Sequence, residues 1–181
     1  MNYDLNWIKH QFDRGATIKY IFFWGHTGKV GHDVGKHVFS QWYDAPFVVD
    51  GVEYKTAEHW MMAHKAKVFQ DDEIFKKIVE ATKPGEVKEL GRKVKNFDES
   101  VWNEAKYDVV KRGNLHKFSQ HEKIKDFLLN TGDRVLVEAS PVDSIWGIGL
   151  AEDAKQIENP HTWKGLNLLG FALMEVRDAL R

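Results

Sequence analysis

Between residues 56 and 129 one helical segment follows another almost without interruption, and that run limits the fold more than any other feature of this 181-residue chain. Thr56 offers a hydroxyl N-cap, and Glu58 puts a carboxylate in the first turn, where the helix dipole favours it. Ala, Met and Lys then carry the pattern to about Phe69. Further helices are expected at about 71–81, at 85–94 behind Pro84, at 98–118 behind Asp98 and at 121–129. The turn residues Thr131-Gly132-Asp133 stop the run. Strands are confined to the flanks. Tyr20-Ile21-Phe22-Phe23-Trp24 is aromatic and β-branched, Asp50-Gly51 between two apolar runs predicts a hairpin, and Arg134-Val135-Leu136-Val137-Glu138-Ala139 alternates like a half-buried strand. Ile145-Trp146-Gly147-Ile148-Gly149 reads as a short extended piece, and residues 165–181 carry a last helical stripe. The expected architecture is a mostly helical α+β domain with a few short strands. Nothing in the sequence marks a repeat, a low-complexity tract or a linker.

Composition narrows the function. With 43% hydrophobic and 13% aromatic residues the chain can fill a core, which excludes disorder as its main theme. Lys and Arg (26) and Asp and Glu (27) balance to a net charge of −1, so no global basic field exists to coat nucleic acid. The chain has no cysteine. Disulfides, thiolate nucleophiles and cysteine zinc sites are therefore excluded, and a cytoplasmic location is expected. The first residues lack the basic and apolar segments of a signal peptide, and no apolar run approaches the roughly 20 residues that span a bilayer.

Two motifs are weaker than they look. Gly25-His26-Thr27-Gly28-Lys29-Val30-Gly31 suggests a phosphate loop, but Ser or Thr does not follow the lysine and the glycine spacing is wrong. His59 and His64 are five residues apart and face different sides of a helix, so no metal site and no cofactor is expected. More informative is Glu58-His59-Trp60-Met61-Met62-Ala63-His64-Lys65-Ala66. Seven residues turn a helix through roughly 700°, which puts the acid of Glu58 and the amine of Lys65 on one face. Taken alone, such a pair reads as solvated surface charge. A second polar segment changes the balance: the strand ending at Glu138 leads to Asp143, and then to Trp146 between glycines, where a planar base can stack.

At this point the motifs resemble a known family. Phe22-Phe23-Trp24-Gly25-His26, Phe39-Ser40-Gln41-Trp42-Tyr43, and Tyr54 with Ala57-Glu58-His59 and Lys65-Ala66 open the series. Gly91-Arg92, Trp102, Lys117-Phe118, Thr131-Gly132-Asp133 and Leu136-Val137-Glu138-Ala139-Ser140 follow. Asp143 with Trp146-Gly147-Ile148-Gly149, and Gly165, Asn167, Leu169-Gly170, Leu173-Met174 and Arg177, complete it in order. Together they resemble the NADAR, or YbiA-like, family over residues 20–181, leaving residues 1–19 as a leader packed on that domain.

The resemblance implies cleavage of an N-glycosidic bond between ribose, or ADP-ribose, and a nitrogen base. ADP-ribosylated guanine in nucleic acid is the first expectation, and a phosphoribosylated riboflavin-pathway intermediate is the alternative. It assigns Glu58, Lys65 and Asp143 to catalysis. Phe23, Trp24, Gln41, Trp42, Trp102, Trp146, Gly147 and Asn167 are assigned to substrate binding. Gln41 departs from the asparagine common in the family at that place. Two routes stay open. In one, Glu58 and Asp143 share the work of stabilising an oxocarbenium-like centre and moving the proton. In the other, Lys65 attacks C1′ and forms an imine, which requires a partly desolvated amine. Phosphate donors are sought among Arg92, Arg112, Lys117 and the helix start near Thr56, with Arg112 and Lys117 expected at the surface. The expected partner is the ribosylated base itself, in DNA or RNA or as a small molecule, with no membrane involved. A non-catalytic ADP-ribose or NAD-type reader and a helical interaction domain are the competing readings.

Overall fold

The structure, a computed structural model, describes residues 1–28 and 34–181. Lys29, Val30 and Gly31 of the glycine-rich loop lie outside the described residues. In chain order the helices are α1 (Leu5–Asp13), α2 (Ala57–Val68), α3 (Asp72–Glu80), α4 (Pro84–Arg92), α5 (Glu99–Ser119), α6 (Glu122–Leu129) and α7 (Leu168–Leu180). The strands are β1 (Tyr20–Phe23), β2 (Phe47–Val49), β3 (Val52–Tyr54) and β4 (Val135–Glu138). The mostly helical α+β architecture expected from the pattern is thus the one observed. The chain forms two compact units, one made of Met1–Ser40 with Lys123–Arg181 and the other of Gln41–Glu122.

In the first unit β1 and β4 pair in parallel, Tyr20 opposite Val135 and Phe23 opposite Glu138. Parallel neighbours need a long crossover, which the intervening residues supply. Val135, Leu136 and Val137 are all buried, and α7 packs on β4 so closely that a Cβ on Gly170 would run into the Leu136 carbonyl. Residues 1–19, expected only as a leader, hold a capped helix. The Asp4 carboxylate accepts the Trp7 N–H at 2.6 Å, Ile8 is fully buried, and the Tyr3 hydroxyl donates to Asp178 of α7 at 2.6 Å. Residues 145–149 are not the extended piece the sequence suggested. Asp143 Oδ1 accepts the N–H groups of Ile145 and Trp146, both at 2.8 Å, and this turn curls the chain instead of pairing it.

In the second unit the Asp50-Gly51 hairpin forms as expected, with φ of 51° and 78° placing both residues in the left-handed region that a two-residue turn requires. Helix α2 starts at the predicted cap: Thr56 Oγ1 accepts the His59 N–H and also lies 2.8 Å from His59 Nδ1. Every residue from Ala57 to Ala63 is buried, because α3, α4 and α5 all pack on this helix. A helix covered on several sides shows little amphipathic periodicity, so its central position is not legible in its pattern.

Trp60 anchors that packing. Its indole N–H donates to the Val109 carbonyl of α5 at 2.8 Å, and its ring stacks on His64 with centroids 3.7 Å apart. Burial there pushes the His64 imidazole down to about 4. Gly113 lets α5 approach, since a Cβ at that position would collide with the Trp60 ring. Gly113→Ala is expected to lower unfolding free energy by about 1–3 kcal/mol, the usual cost of overpacking a close contact. Urea titration checks this, and a variant as stable as the parent would contradict the packing described.

Candidate active site

The residues singled out by sequence divide between the two units. Gln41, Trp42, Glu58, Lys65 and Trp102 belong to the second, whereas Phe23, Trp24, Asp143, Trp146, Gly147 and Asn167 belong to the first.

On α2, Glu58, Met62 and Lys65 follow one another at helical spacing along a single stripe. Glu58 sits in the first turn and is 4% exposed. Its main-chain N–H has no acceptor within the helix, as is usual for a first turn, and donates instead to the Gln41 carbonyl at 2.9 Å. At the far end, Lys65 Nζ donates to the Gly91 carbonyl of α4 at 2.9 Å and lies 4.1 Å from the centre of the Phe97 ring. Gly91 is also where α4 meets Met62, because a Cβ there would strike the thioether. Burial lowers the Lys65 amine below its ordinary value, and this enlarges its neutral, nucleophilic fraction. The helix thus carries a buried carboxylate at one end of a stripe and a partly desolvated amine at the other.

Gln41 and Trp42 flank the start of this helix. Trp42 rests on α4, where a Cβ on Gly85 would be 3.8 Å from the indole edge and Lys88 Nζ lies 6.0 Å from the ring centre. Trp102, in the first turns of α5, is half-buried. His59 is buried, with Nδ1 against Thr56 Oγ1 and Nε2 3.2 Å from the Ala81 carbonyl, and these contacts occupy both ring nitrogens. A hollow of about 360 Å³ lies off the stripe, lined by Lys77, Glu80, Ala81, Thr82, Glu86 and Leu90.

In the first unit Asp143 spends one carboxylate oxygen on the turn that shapes its own loop, and this presents the half-buried Trp146. Gly147 is required there, since a Cβ would lie 2.8 Å from the Glu138 carbonyl. Its own carbonyl accepts the Asn167 N–H at 3.1 Å. Asn167 is fully buried and left-handed. Its Oδ1 accepts the Glu138 N–H and its Nδ2 donates to the Leu136 carbonyl, each at 2.9 Å, so the side chain fastens α7 to β4. The amide that the resemblance assigned to substrate is thus engaged with the backbone. Phe23 is a core side chain packed on Phe39, while Trp24 next to it is 58% exposed.

The phosphate candidates are placed differently from one another. Arg92 pairs with Glu89, and Arg112 with Asp108 at 3.0 Å, both on exposed helix surface. Lys117, expected at the surface, is completely buried, and its amine lies 5.5 Å from the centre of the Tyr43 ring. Loss of hydration pushes it down to about 7 from the usual 10.5. Sequence reasoning named Lys117 as a phosphate candidate but missed its burial, and it missed Asn114 altogether. The signal was available: Val110, Gly113, Asn114, Lys117 and Phe118 share the buried face of α5, so two polar residues occupy apolar positions.

The buried amine predicts a pH dependence. Above about pH 10.5 folded and unfolded chains both hold Lys117 neutral. As pH falls towards 7 the unfolded chain binds a proton that the folded chain resists, so stability falls. The parent should therefore gain stability from pH 7 to 10 relative to Lys117→Met, which lacks the titrating group. A difference between the two that stays constant over that range, by urea unfolding, would contradict the burial.

Comparison with known proteins places the chain in a family. The NADAR domain model matches residues 22–181. N-glycosidase R617 of Acanthamoeba polyphaga mimivirus is 46% identical over 168 residues, covering 90% of this chain and 96% of the relative. N-glycosidase Npun_R5314 of Nostoc punctiforme is 34% identical, covering 79% and 85%. The solution structure of Escherichia coli YbiA superposes with a TM-score of 0.71 at 28% identity, covering 96% of this chain and 92% of that one. With a buried acid and a desolvated amine on one helix, and a family match over nearly its whole length, the chain belongs to the NADAR domain family.

Proposed function

We infer that this chain is an N-glycosidase, hydrolysing the bond between a nitrogen base and C1′ of ribose or ADP-ribose, with ADP-ribosylated guanine in nucleic acid as the favoured substrate. The observation that carries this reading is the α2 stripe, with buried Glu58 at its start and Lys65, its amine lowered by burial, at its end. The N-glycosidase names of its relatives support the reaction class. The near-neutral net charge suits a single extruded or unpaired nucleotide, which needs few phosphate contacts, better than a long duplex.

Cleavage at C1′ requires a proton for the departing nitrogen and stabilisation of the positive charge that develops on the sugar. Glu58 supplies the carboxyl chemistry. Neutral Lys65 forms a bond to C1′ as the C1′–base bond breaks, and the Glu58 carboxyl group gives its proton to the departing nitrogen. The proton shed by the lysyl nitrogen passes to O4′ as the C1′–O4′ bond opens, which leaves an imine; water then adds to C1′, the amine departs, and the sugar is released as the free aldehyde that recloses through O4′. By family resemblance Asp143 provides a further carboxylate, and Trp102 and Trp146 provide stacking surfaces.

The test is a comparison of substrates. Pure protein is incubated with DNA carrying ADP-ribosylated guanine and, separately, with ribosylaminopyrimidine phosphate, and the release of ADP-ribose from the first and of ribose phosphate from the second is assayed. Release from the first substrate alone supports the favoured reading. Release from the second alone transfers the assignment to the riboflavin-pathway intermediate, and binding without release identifies a reader.

A further inference from the structure

Beneath the start of α2 lies a buried amide pair that the mechanism does not use. Asn114 of α5 is fully buried, and its Nδ2 donates to the Gln41 Oε1 at 2.8 Å and to the Val110 carbonyl at 2.9 Å. Those two bonds use both hydrogens of the Asn114 amide and fix its orientation. Gln41, 8% exposed, in turn accepts the main-chain N–H of Glu58 on its own carbonyl. A continuous chain of hydrogen bonds therefore runs from α5 through Gln41 to the residue that carries the carboxylate.

The same pair leaves two buried atoms without partners, Gln41 Nε2 and Asn114 Oδ1. A polar network that only supported the core would be better satisfied, or would be replaced by apolar side chains of the same size, since a half-satisfied network costs desolvation without return. Its retention at the first turn of α2 fits a constraint on geometry and not on stability.

We propose that Asn114 is a positioning residue for Glu58, acting through Gln41. This rests on the assignment of Glu58 to N-glycosidic cleavage. Asn114 touches no reacting atom. It holds Gln41 where its main-chain carbonyl receives the Glu58 N–H, and that contact sets where the Glu58 carboxyl group stands.

The experiment compares Asn114→Leu, Gln41→Met and the double variant with the parent, using the ribosylated base that the parent turns over. Leucine and methionine keep the volume and remove the hydrogen bond from either side. Each single variant is expected to lower kcat by about tenfold, the scale of one well-aligned hydrogen bond, and to leave KM within about threefold. The acidic limb of the kcat–pH profile should move in both. Thermal midpoints should fall modestly in the single variants, each of which leaves one amide atom of its partner newly unpaired, and should recover in the double variant, where both amides are gone. The double variant should be no slower than the slower single one, since both changes break one linkage. Unchanged kcat in Asn114→Leu, multiplicative losses in the double variant, or a KM rise at constant kcat would overturn the proposal. Should Asn114→Leu fail to fold, Gln41→Met alone decides by the same kcat, KM and pH criteria. A parent that releases no base refutes the N-glycosidase reading itself, whereas an active parent matched by Asn114→Leu refutes only the positioning role.

Discussion

Lys65→Arg is expected to reduce turnover by about 10⁴-fold or more, the scale seen when a nucleophile is removed from an enzyme site. The substitution keeps a positive charge and a hydrogen-bond donor for the Gly91 carbonyl, and a cation over Phe97 is still possible. It removes the one property the imine route needs. A guanidinium cannot be deprotonated in a protein, so no neutral nitrogen is available to attack C1′. The lowered affinity of Lys65 for its proton has no counterpart in arginine. Because the charge is conserved, a general electrostatic role for Lys65 would survive the change, and activity within tenfold of the parent would assign it such a role. Borohydride added during turnover of the parent should reduce the imine to a stable sugar adduct on the peptide containing Lys65. Turnover with no adduct would leave the route in which carboxylates act through water.

Glu58→Gln is expected to lower kcat by about 10²–10⁴-fold, the usual contribution of a positioned acid or base. The amide matches the carboxylate in shape, and the main-chain hydrogen bond from residue 58 to the Gln41 carbonyl does not depend on the side chain. The fold should therefore persist. Loss of rate together with unchanged circular dichroism is the predicted pattern. An unchanged rate would transfer the proton work to another carboxylate, for which Asp143 is the first choice by resemblance.

Most helices were legible because their ends are chemically marked. Thr56, Asp71 and Asp98 each cap through a side-chain oxygen, and Pro84 opens α4. The hairpin was legible because Asp50-Gly51 admits the two left-handed residues its turn needs. The N-terminal helix could have been read from Asp4 and the spacing of Leu5, Ile8 and Phe12, but a short segment with polar residues between them gives a weak pattern. Residues 145–149 misled because apolar residues among glycines suit a strand, whereas the turn depends on one oxygen of Asp143, which pattern does not reveal.

The site was legible in residue type more than in placement. Helical spacing alone put Glu58 and Lys65 on one stripe, and the structure adds what each touches: Gln41 at one end, Gly91 and Phe97 at the other. Spacing put Lys117 on the apolar face of α5 but did not outweigh the ordinary solvation of long charged side chains on helices, so it did not by itself show the burial. Nor could it show that Asn167 is occupied by β4, since an asparagine before a helix reads equally well as a cap or as a ligand contact. In both cases burial by other parts of the fold decides the role.

Scission between sugar and base is tested most directly by mass spectrometry of a single-turnover reaction on DNA bearing ADP-ribosylated guanine. Unmodified guanine should be restored in the strand, and ADP-ribose should be released with its pyrophosphate intact. Guanine still carrying ribose, whether through cleavage at the pyrophosphate or through binding alone, would contradict that scission.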